Sequence, residues 1–258
     1  MKVMLFCGVR SSSERICRIM LEKGVQIVGC VFEEQRPNRL SRLCDEHDIP
    51  CYTNDELYCS LSKRELPKFD YGISYLYHRI LKKDIIDFSE NHIINFHPAP
   101  IEIHRGVAAC SYCLLKGYDD WAVTAHYVTP GIDDGDIIMQ RKFSIKGLRT
   151  GVEAEKYIQE HSIKLFEEVL DLLLSGEKLS TKKQDLSSGH YFSRKELERE
   201  KLINDLDSTE DIERKIMSLW LPPYHGACIE RNGVRYTLIN EELLKEIAQL
   251  YENEKNQN

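Results

Sequence analysis

The sequence lacks long apolar runs and a positive net charge, and each absence narrows the possible functions. No stretch approaches the roughly 20 consecutive apolar residues that a membrane-spanning helix needs. The formal net charge of −7 argues against nonspecific binding to nucleic acid or to anionic membranes. With 42% hydrophobic and 30% charged residues over 258 positions, the composition is typical of a globular protein with one substantial core.

The sequence also lacks an even set of cysteines, since its nine are scattered along the chain. The N-terminal MKVMLFCGV is too short an apolar stretch for a secretory signal and is typical of a first strand. Together these features predict free thiols and a cytoplasmic protein.

One cysteine pair, Cys110 and Cys113, forms a C-x-x-C motif. This motif admits a redox centre, half of a zinc site, or two small core residues one helical turn apart. We favour the core interpretation, because the flanking GVAACSYCLLKG is helix-like and the chain contains no second C-x-x-C.

Apolar strand patterns alternate with helical patterns over the first 177 residues. Such alternation predicts an α/β fold with a Rossmann-like, mostly parallel sheet. The predicted strands are 2–7, 25–32, 69–77 and 92–96, followed by an antiparallel pair at 122–129 and 135–145, and the predicted helices are 13–23, 41–49, 82–88, 106–117 and 151–177.

A polar, turn-rich segment at 178–194 then predicts a boundary. It separates a core domain, residues 1–177, from a small C-terminal region, residues 178–258. Within that region we predict a helix at 208–220 and a β-hairpin at 227–239, because Asn-Gly is a strong hairpin signal.

Three segments contain polar residues where apolar ones fit more easily. Asn95 and His97 end a buried-strand pattern and lie two residues apart, which puts both side chains on one side of an extended segment. Arg105-Gly106 and the carboxylate-rich PGIDDGD (130–136) follow. Each alone has a plain interpretation as a strand end or a solvated turn. Their joint occurrence favours a site at the end of the sheet.

The combined pattern resembles the formyltetrahydrofolate-dependent formyltransferase family. It consists of Asn95-Phe-His97-Pro, Arg105-Gly106 and Ile-Asp133-Asp-Gly-Asp-Ile, and the likeness extends over roughly residues 1–175. The resemblance implies the formyltransferase fold and an enzyme that uses 10-formyltetrahydrofolate as formyl donor, with no metal. By position it implies that Asn95, His97 and Asp133 form the catalytic triad.

These residue types suit formyl transfer to an amine. Negative charge develops on the formyl oxygen, and amide or imidazolium donors stabilise it, a term worth roughly 3–4 kcal/mol per donor removed. A histidine titrates near neutral pH and can exchange the protons that the amine loses and the leaving nitrogen gains. A nearby carboxylate favours the charged imidazole.

The segment FDYGISYLYHRILKK (69–83) stands where the family has a folate-binding loop. The resemblance implies that this loop lines the pterin pocket, largely through backbone groups. The alternative is an ordinary strand-to-helix loop. The implied cofactor contacts are Leu76, Tyr77, His78, Arg79, Ile80 and Asp133.

The C-terminal region bears on the identity of the accepting amine. It has no excess of Lys and Arg over Asp and Glu, whereas methionyl-tRNA formyltransferases usually carry a longer C-terminal barrel that grips tRNA. WLPPYHGA (220–227) resembles instead the nucleotide-sugar N-formyltransferases. That likeness implies a nucleoside-diphosphate amino-dideoxyhexose, such as a dTDP-sugar for lipopolysaccharide O-antigen, as acceptor, and a homodimer. Trp220 and Tyr224 offer aromatic surface to a base, or else pack the region onto the core.

The turn GVRSSS (8–13) suits the pyrophosphate of such a sugar nucleotide. Arg10 and Ser11 lie at a helix start, where backbone amides and a cation favour anions, and Ser13 is a candidate N-cap. Arg105 and Gly106 complete the predicted substrate contacts, with His104 where the family commonly has tyrosine.

Two other functions remain open on the sequence. The shared core is compatible with methionyl-tRNA formylation, and a chain of this kind could also bind folate or nucleotide without turnover. The sugar, the formylated ring position and the nucleoside do not follow from the sequence.

Overall fold

The computed structural model describes the backbone of residues 1–32 and 36–255 and the side chains up to residue 249. The chain forms two compact units, each built from separated segments. Unit 1 comprises Met1–Arg105, Ala122–Lys142 and Ile158–His190, and unit 2 comprises Gly106–Trp121, Phe143–Tyr157 and Tyr191–Asn258. The division predicted at residues 177/178 stays a prediction.

Strands and helices alternate along the described chain. The strands are β1 (Lys2–Cys7), β2 (Gln26–Val31), β3 (Cys51–Tyr52), β4 (Tyr71–Tyr75), β5 (His92–His97), β6 (His104–Gly106), β7 (Asp120–Tyr127), β8 (Ile137–Ser144), β9 (His190–Phe192), β10 (Cys228–Arg231) and β11 (Val234–Thr237). The helices are α1 (Ser11–Glu22), α2 (Arg39–Glu46), α3 (Asn54–Ser62), α4 (Lys83–Phe88), α5 (Ala109–Leu115), α6 (Gly151–Ser175), α7 (Arg194–Lys201), α8 (Thr209–Ser218) and α9 (Glu241–Lys255).

The central sheet has seven strands in the order β3-β2-β1-β4-β5-β7-β8. The strands from β3 to β5 pair in parallel, and β7 pairs antiparallel with β5. The strand order reverses between β1 and β4, which is the position where open α/β sheets bind ligands beyond the carboxyl ends of their strands. The predicted α/β class and mostly parallel sheet are confirmed.

A buried apolar cluster covers one face of this sheet in unit 1. Met4, Val31 and Ile93 contribute from three strands, and Leu57 and Ile85 contribute from α3 and α4. A slip by one residue would move these side chains to the opposite face of the sheet and break this packing. This apolar cluster therefore helps to fix the register of the strand ends.

Unit 2 contains the predicted C-terminal helix and hairpin. Helix α8 begins at the Ser208 cap, which accepts a hydrogen bond from Asp211 N, and the hairpin turns at Asn232-Gly233, both at positive φ. Ile216, Leu219, Ala227 and Leu243 form its small buried cluster. Within the described ranges, no helix combines the length and the apolar character that crossing a membrane requires.

The predicted starts of helices α1 and α5 differ from the structure. Helix α1 begins at Ser11 with Arg10 as its N-cap, so Ser13 lies inside the helix and is not the cap. Helix α5 begins at Ala109 rather than at residue 106, because Gly106 and Ala108 have φ values of 98° and 59° that a helix cannot contain.

Candidate active site

Three polar side chains lie in one row across neighbouring strands of unit 1. Ser74 on β4 is the register partner of Asn95 on β5, and Asn95 is in turn the partner of His126 on β7. Residues at the same register level project to the same face of a sheet, which brings the three side chains together. His97, two residues beyond Asn95, projects to that face one step nearer the strand end.

The amide of Asn95 is hydrogen-bonded at both of its ends. The Ser74 hydroxyl donates to Asn95 Oδ1 over 2.8 Å, and Asn95 Nδ2 lies 3.1 Å from His126 Nε2. The same Nδ2 lies 3.5 Å from Asp133 Oδ1, at the outer limit of a hydrogen bond. One N–H of the amide is thus hydrogen-bonded to His126, and the other points towards Asp133.

A backbone carbonyl decides the protonation pattern of His126. Its Nδ1 is 2.9 Å from Tyr127 O, and a carbonyl oxygen can only accept, so Nδ1 carries a hydrogen. In the neutral ring Nε2 is then an acceptor, which suits the Asn95 N–H that faces it. His126 is buried and is a member of the site that the sequence did not identify.

His97 is held in the same way by a carbonyl. Its Nε2 donates to His104 O over 3.1 Å, and its Nδ1 faces Asp133 Oδ2 at 3.6 Å. His97 is buried, and this burial lowers its pKa, while the Asp133 charge raises it and His126 lowers it further. Burial is the largest of these effects.

Asp133 reaches the two imidazoles from the loop between β7 and β8. Its Oδ2 faces His97, and its Oδ1 lies 3.6 Å from His126 Nε2. The neighbouring Asp134 is used differently, because its carboxylate accepts a hydrogen bond from the Thr129 hydroxyl inside the turn. The structure thus brings Asn95, His97 and Asp133 together and adds His126 between them.

The loop of Asp133 is fixed by backbone contacts. Asp133 has φ 49°, and a side chain at Gly135 would collide with Tyr127 O, so the loop approaches the strand more closely than other residues allow. Gln184 Nε2 donates to Asp133 O over 3.1 Å and also to Gly135 O. These bonds offset the cost of the strained conformation.

The predicted folate loop follows β4 beside this cluster. Leu76 has φ 54°, and its carbonyl leaves no room for a side chain at Gly8, which follows β1. The Tyr77 ring turns inward, with its hydroxyl 3.1 Å from Asn54 Oδ1. His78, Arg79 and Ile80 are exposed, Ile80 at 61%. The cofactor contacts of Leu76, Tyr77, His78, Arg79 and Ile80 stay predictions.

Arg10 and Ser11 lie where β1 turns into α1. Helix α1 has no side-chain cap hydrogen bond at its N-terminus, where backbone N–H groups lack intrahelical partners. Ser13, in the same first turn, is buried, and its hydroxyl has no hydrogen-bond partner within the described part of the chain. The geometry is compatible with the predicted anion contact, which stays a prediction.

Arg105 holds the segment that follows α6. Its Nη2 donates to Ser188 O over 3.2 Å and reaches Leu186 O at 3.5 Å, whereas its buried Nη1 has no hydrogen-bond partner among the described residues. Gly106 starts unit 2, where a Cβ would collide with Phe192 O. The substrate contacts predicted for both residues remain predictions.

The other predicted residues belong to unit 2. Trp220 is half-buried against its apolar cluster and Tyr224 is half exposed.

Cys110 and Cys113 are buried on α5, where Cys113 Sγ donates to Cys110 O and burial raises the pKa of Cys113 to about 12. Both thiols are core residues with little reactivity, and all nine cysteines are free.

Comparisons with known proteins agree with the geometry. The profile of the family described as "Formyl transferase" matches residues 8–170. A methionyl-tRNA formyltransferase of Geobacter sulfurreducens is 25% identical over 198 residues, covering 72% of this chain and 62% of the relative. The chain spans about three fifths of the length of this and two further curated relatives that it matches.

Solved structures resemble the chain over nearly its whole length. An N-formyltransferase of Helicobacter canadensis, in complex with folinic acid and dTDP-3-aminofucose, has a TM-score of 0.71 at 20% identity, with 93% of this chain and 89% of that chain covered. A 4-N formyltransferase of Francisella tularensis has a TM-score of 0.74 at 16% identity, with 93% and 97% covered. At these identities the likeness establishes the fold.

The opposing effects on His97 lead to a titration prediction. In Asp133→Asn the charge that favours the imidazolium is lost while the burial remains, so the pKa of His97 falls below its value in the unmodified protein. Titration of the His97 ring signals by NMR measures this shift. Asp134→Asn is the control and leaves the His97 pKa nearly unchanged, because that carboxylate bonds to Thr129. An unchanged or raised His97 pKa in Asp133→Asn would contradict the assigned contact.

Proposed function

Because the chain belongs to the formyl transferase family, we propose that it transfers a formyl group from 10-formyltetrahydrofolate to the amino group of a nucleotide-linked amino-dideoxy sugar. One observation carries the proposal: an amide donor, two imidazoles and a carboxylate converge on one point at the carboxyl end of the sheet. This set supplies what amine formylation requires, namely an oxyanion donor, a proton donor and a proton acceptor.

Each residue has a task that follows from its contacts. The free N–H of Asn95, directed to the same space as Asp133, stabilises negative charge on the formyl oxygen. Asp133 accepts the proton that the amine loses as the new carbon–nitrogen bond forms. His97, once protonated at Nδ1, donates a proton to the departing nitrogen when the old carbon–nitrogen bond breaks. Proton and bond counts balance, and the products are a formamide and tetrahydrofolate.

The loop after β4 supports the choice of formyl donor. A flat heteroaromatic ring is best held by backbone polar groups beside apolar surface, and the loop from Leu76 to Ile80 has an exposed isoleucine and a main chain turned at positive φ. Bound formyl folate supplies the electrophilic carbonyl carbon and a nitrogen leaving group. The loop residues bind and orient this donor next to Asn95.

The acceptor is proposed from the C-terminal part of the chain. This part contains helix α8 and the β10–β11 hairpin. Trp220 and Tyr224 lie between them in the sequence, and their aromatic rings suit stacking on a nucleotide base. The Helicobacter canadensis relative in complex with a dTDP-amino sugar supports the same acceptor class. The nine free thiols suit the cytoplasm, where such an enzyme would act.

Methionyl-tRNA is the second candidate acceptor. The curated relatives that favour it are 25% and 26% identical in two cases, and the aligned region covers 62% and 63% of their length. A tRNA acceptor would draw on phosphate contacts and would give strongly salt-dependent binding. The formal net charge of −7 makes the sugar nucleotide the better supported acceptor.

An acceptor panel tests the proposed function. Purified protein with 10-formyltetrahydrofolate is expected to formylate at least one dTDP- or UDP-linked 3-amino or 4-amino-dideoxyhexose, detected by a mass gain of one formyl group. His97→Ala and Asp133→Asn are expected to lower turnover by about 100-fold or more, because each removes a proton-transfer group. Charged initiator tRNA is the comparison acceptor. Formylation of the tRNA alone would overturn the sugar assignment. Tetrahydrofolate binding without turnover of any acceptor would overturn the proposed enzymatic activity.

Arg10 is the predicted contact for the pyrophosphate. Arg10→Ala is expected to raise the KM for the sugar nucleotide about tenfold and to leave kcat within about twofold, because a charge-assisted hydrogen bond is lost from binding alone. Arg15→Ala is the matched control, since Arg15 lies on the same helix and pairs with Glu160. Steady-state kinetics at saturating folate measure both variants. Equal KM values in the two variants would remove Arg10 from the phosphate site.

A homodimer through the C-terminal hairpin is part of the proposal. All four residues of β11 are exposed, and Val234 and Tyr236 lie on it at 51% and 52% exposure. An exposed apolar edge strand is a template for pairing with a second chain. We expect light scattering to give twice the 30.1 kDa mass of the chain, and Tyr236→Lys to give the monomer. Leu206→Lys, also at an exposed apolar residue, is expected to stay dimeric; a monomeric unmodified protein would contradict the dimer.

A further inference from the structure

Ser74 is a buried polar residue that neither the motifs nor the proposed reaction accounts for. It lies near the end of β4, is 5% exposed, and is the register partner of Asn95 on β5. Its Oγ is 2.8 Å from Asn95 Oδ1, an ordinary length for a strong hydrogen bond. An alanine or valine would fill this strand position without a polar group to satisfy.

The direction of this hydrogen bond follows from the contacts around it. Asn95 Oδ1 has no hydrogen, so the Ser74 hydroxyl donates. At the other end of the amide, His126 Nε2 accepts, because the ring hydrogen is on the Nδ1 that faces Tyr127 O. A reversed amide would set Asn95 Oδ1 against the His126 lone pair. Ser74 and His126 thus select one orientation of Asn95.

That orientation matters for the second N–H of Asn95. With Oδ1 held by Ser74 and one N–H held by His126, the remaining N–H points towards Asp133 Oδ1 at 3.5 Å. This contact is loose, so it does little to hold the direction of that N–H once the Ser74 hydroxyl is lost. Oxyanion donors are effective because they are oriented before the reaction.

We propose that Ser74 is a positioning residue that keeps the Asn95 amide turned so that its free N–H faces the reacting carbonyl oxygen. Its catalytic consequence rests on the proposed formyl transfer. Ser74 acts through Asn95 and contacts neither substrate. Without its hydroxyl, Asn95 Oδ1 loses the donor that holds it, and the amide rotates away from the productive orientation.

Two variants of matched shape separate the hydroxyl from the packing. Ser74→Thr keeps the donor, and Ser74→Val has the same shape as threonine without it. Ser74→Val is expected to lower kcat about tenfold with the KM of both substrates within about twofold, because the lost contact acts on the transition state. Ser74→Thr is expected to restore kcat to within about threefold of the unmodified protein. Equal kcat values in Ser74→Val and Ser74→Thr would overturn the proposal.

A second readout needs no acceptor at all. The side-chain amide signals of Asn95, assigned by their disappearance in Asn95→Asp, are expected at the same NMR positions in the unmodified protein and in Ser74→Thr. In Ser74→Val they are expected to shift and to exchange faster with solvent. Unchanged Asn95 signals in Ser74→Val would overturn the proposal even if no sugar is formylated, so its failure is distinguishable from failure of the proposed function.

A smaller variant guards against misfolding at this buried position. Ser74→Ala needs no extra space and lacks the hydroxyl, so it is expected to repeat the kcat loss and the changed Asn95 signals of Ser74→Val. Thermal unfolding verifies that Ser74→Ala is folded. A folded Ser74→Ala with the kcat and Asn95 signals of the unmodified protein would equally overturn the proposal.

Discussion

The site depends on the register of three neighbouring strands. Ser74, Asn95 and His126 stand at one level because β4 pairs in parallel with β5 and β5 pairs antiparallel with β7. The apolar cluster to which Ile93 belongs helps to fix the register of β5. A shift of one residue in either pairing would turn a polar side chain into the core and an apolar one into the site. The placement of these side chains therefore relies on main-chain pairing, and the hydrogen bonds from Ser74 and to His126 then orient the Asn95 amide.

Asp133 is positioned differently from the strand residues, because it lies on a loop outside the hydrogen-bonded strand pairs. The loop reaches the imidazoles only through a close backbone approach at Gly135 and a left-handed conformation at Asp133, both unfavourable in isolation. Gln184 offsets this by bonding two loop carbonyls. The carboxylate is consequently held at 3.6 Å from both imidazoles, close enough for its charge to affect the pKa of His97.

Periodicity and turn signals predicted the sheet, the long helix α6 and the hairpin, and the resemblance to the formyltransferase family implied the Asn95, His97 and Asp133 cluster. The sequence did not reveal His126 or Ser74, since a polar residue in a buried strand shows its purpose only when its cross-strand partner is known. Helix α3, with its Thr53–Glu56 capping box, and the short strands β3, β6 and β9 were also missed. Their segments are too short or too polar for periodicity to stand out. The division into two units of interleaved segments was also not predicted, because it depends on contacts between residues far apart in the sequence.

The protonation of His97 connects these constraints to the reaction. Its Nε2–H is committed to His104 O, so in the neutral ring Nδ1 turns a lone pair towards the Asp133 carboxylate, an acceptor facing an acceptor. A proton between Nδ1 and Asp133 relieves that opposition, yet burial of the ring disfavours its charged form. Burial is the larger of the two effects, so the pKa of His97 is lowered and its imidazolium gives up a proton readily. A lowered pKa suits the role proposed for His97, which is to donate a proton to the leaving nitrogen.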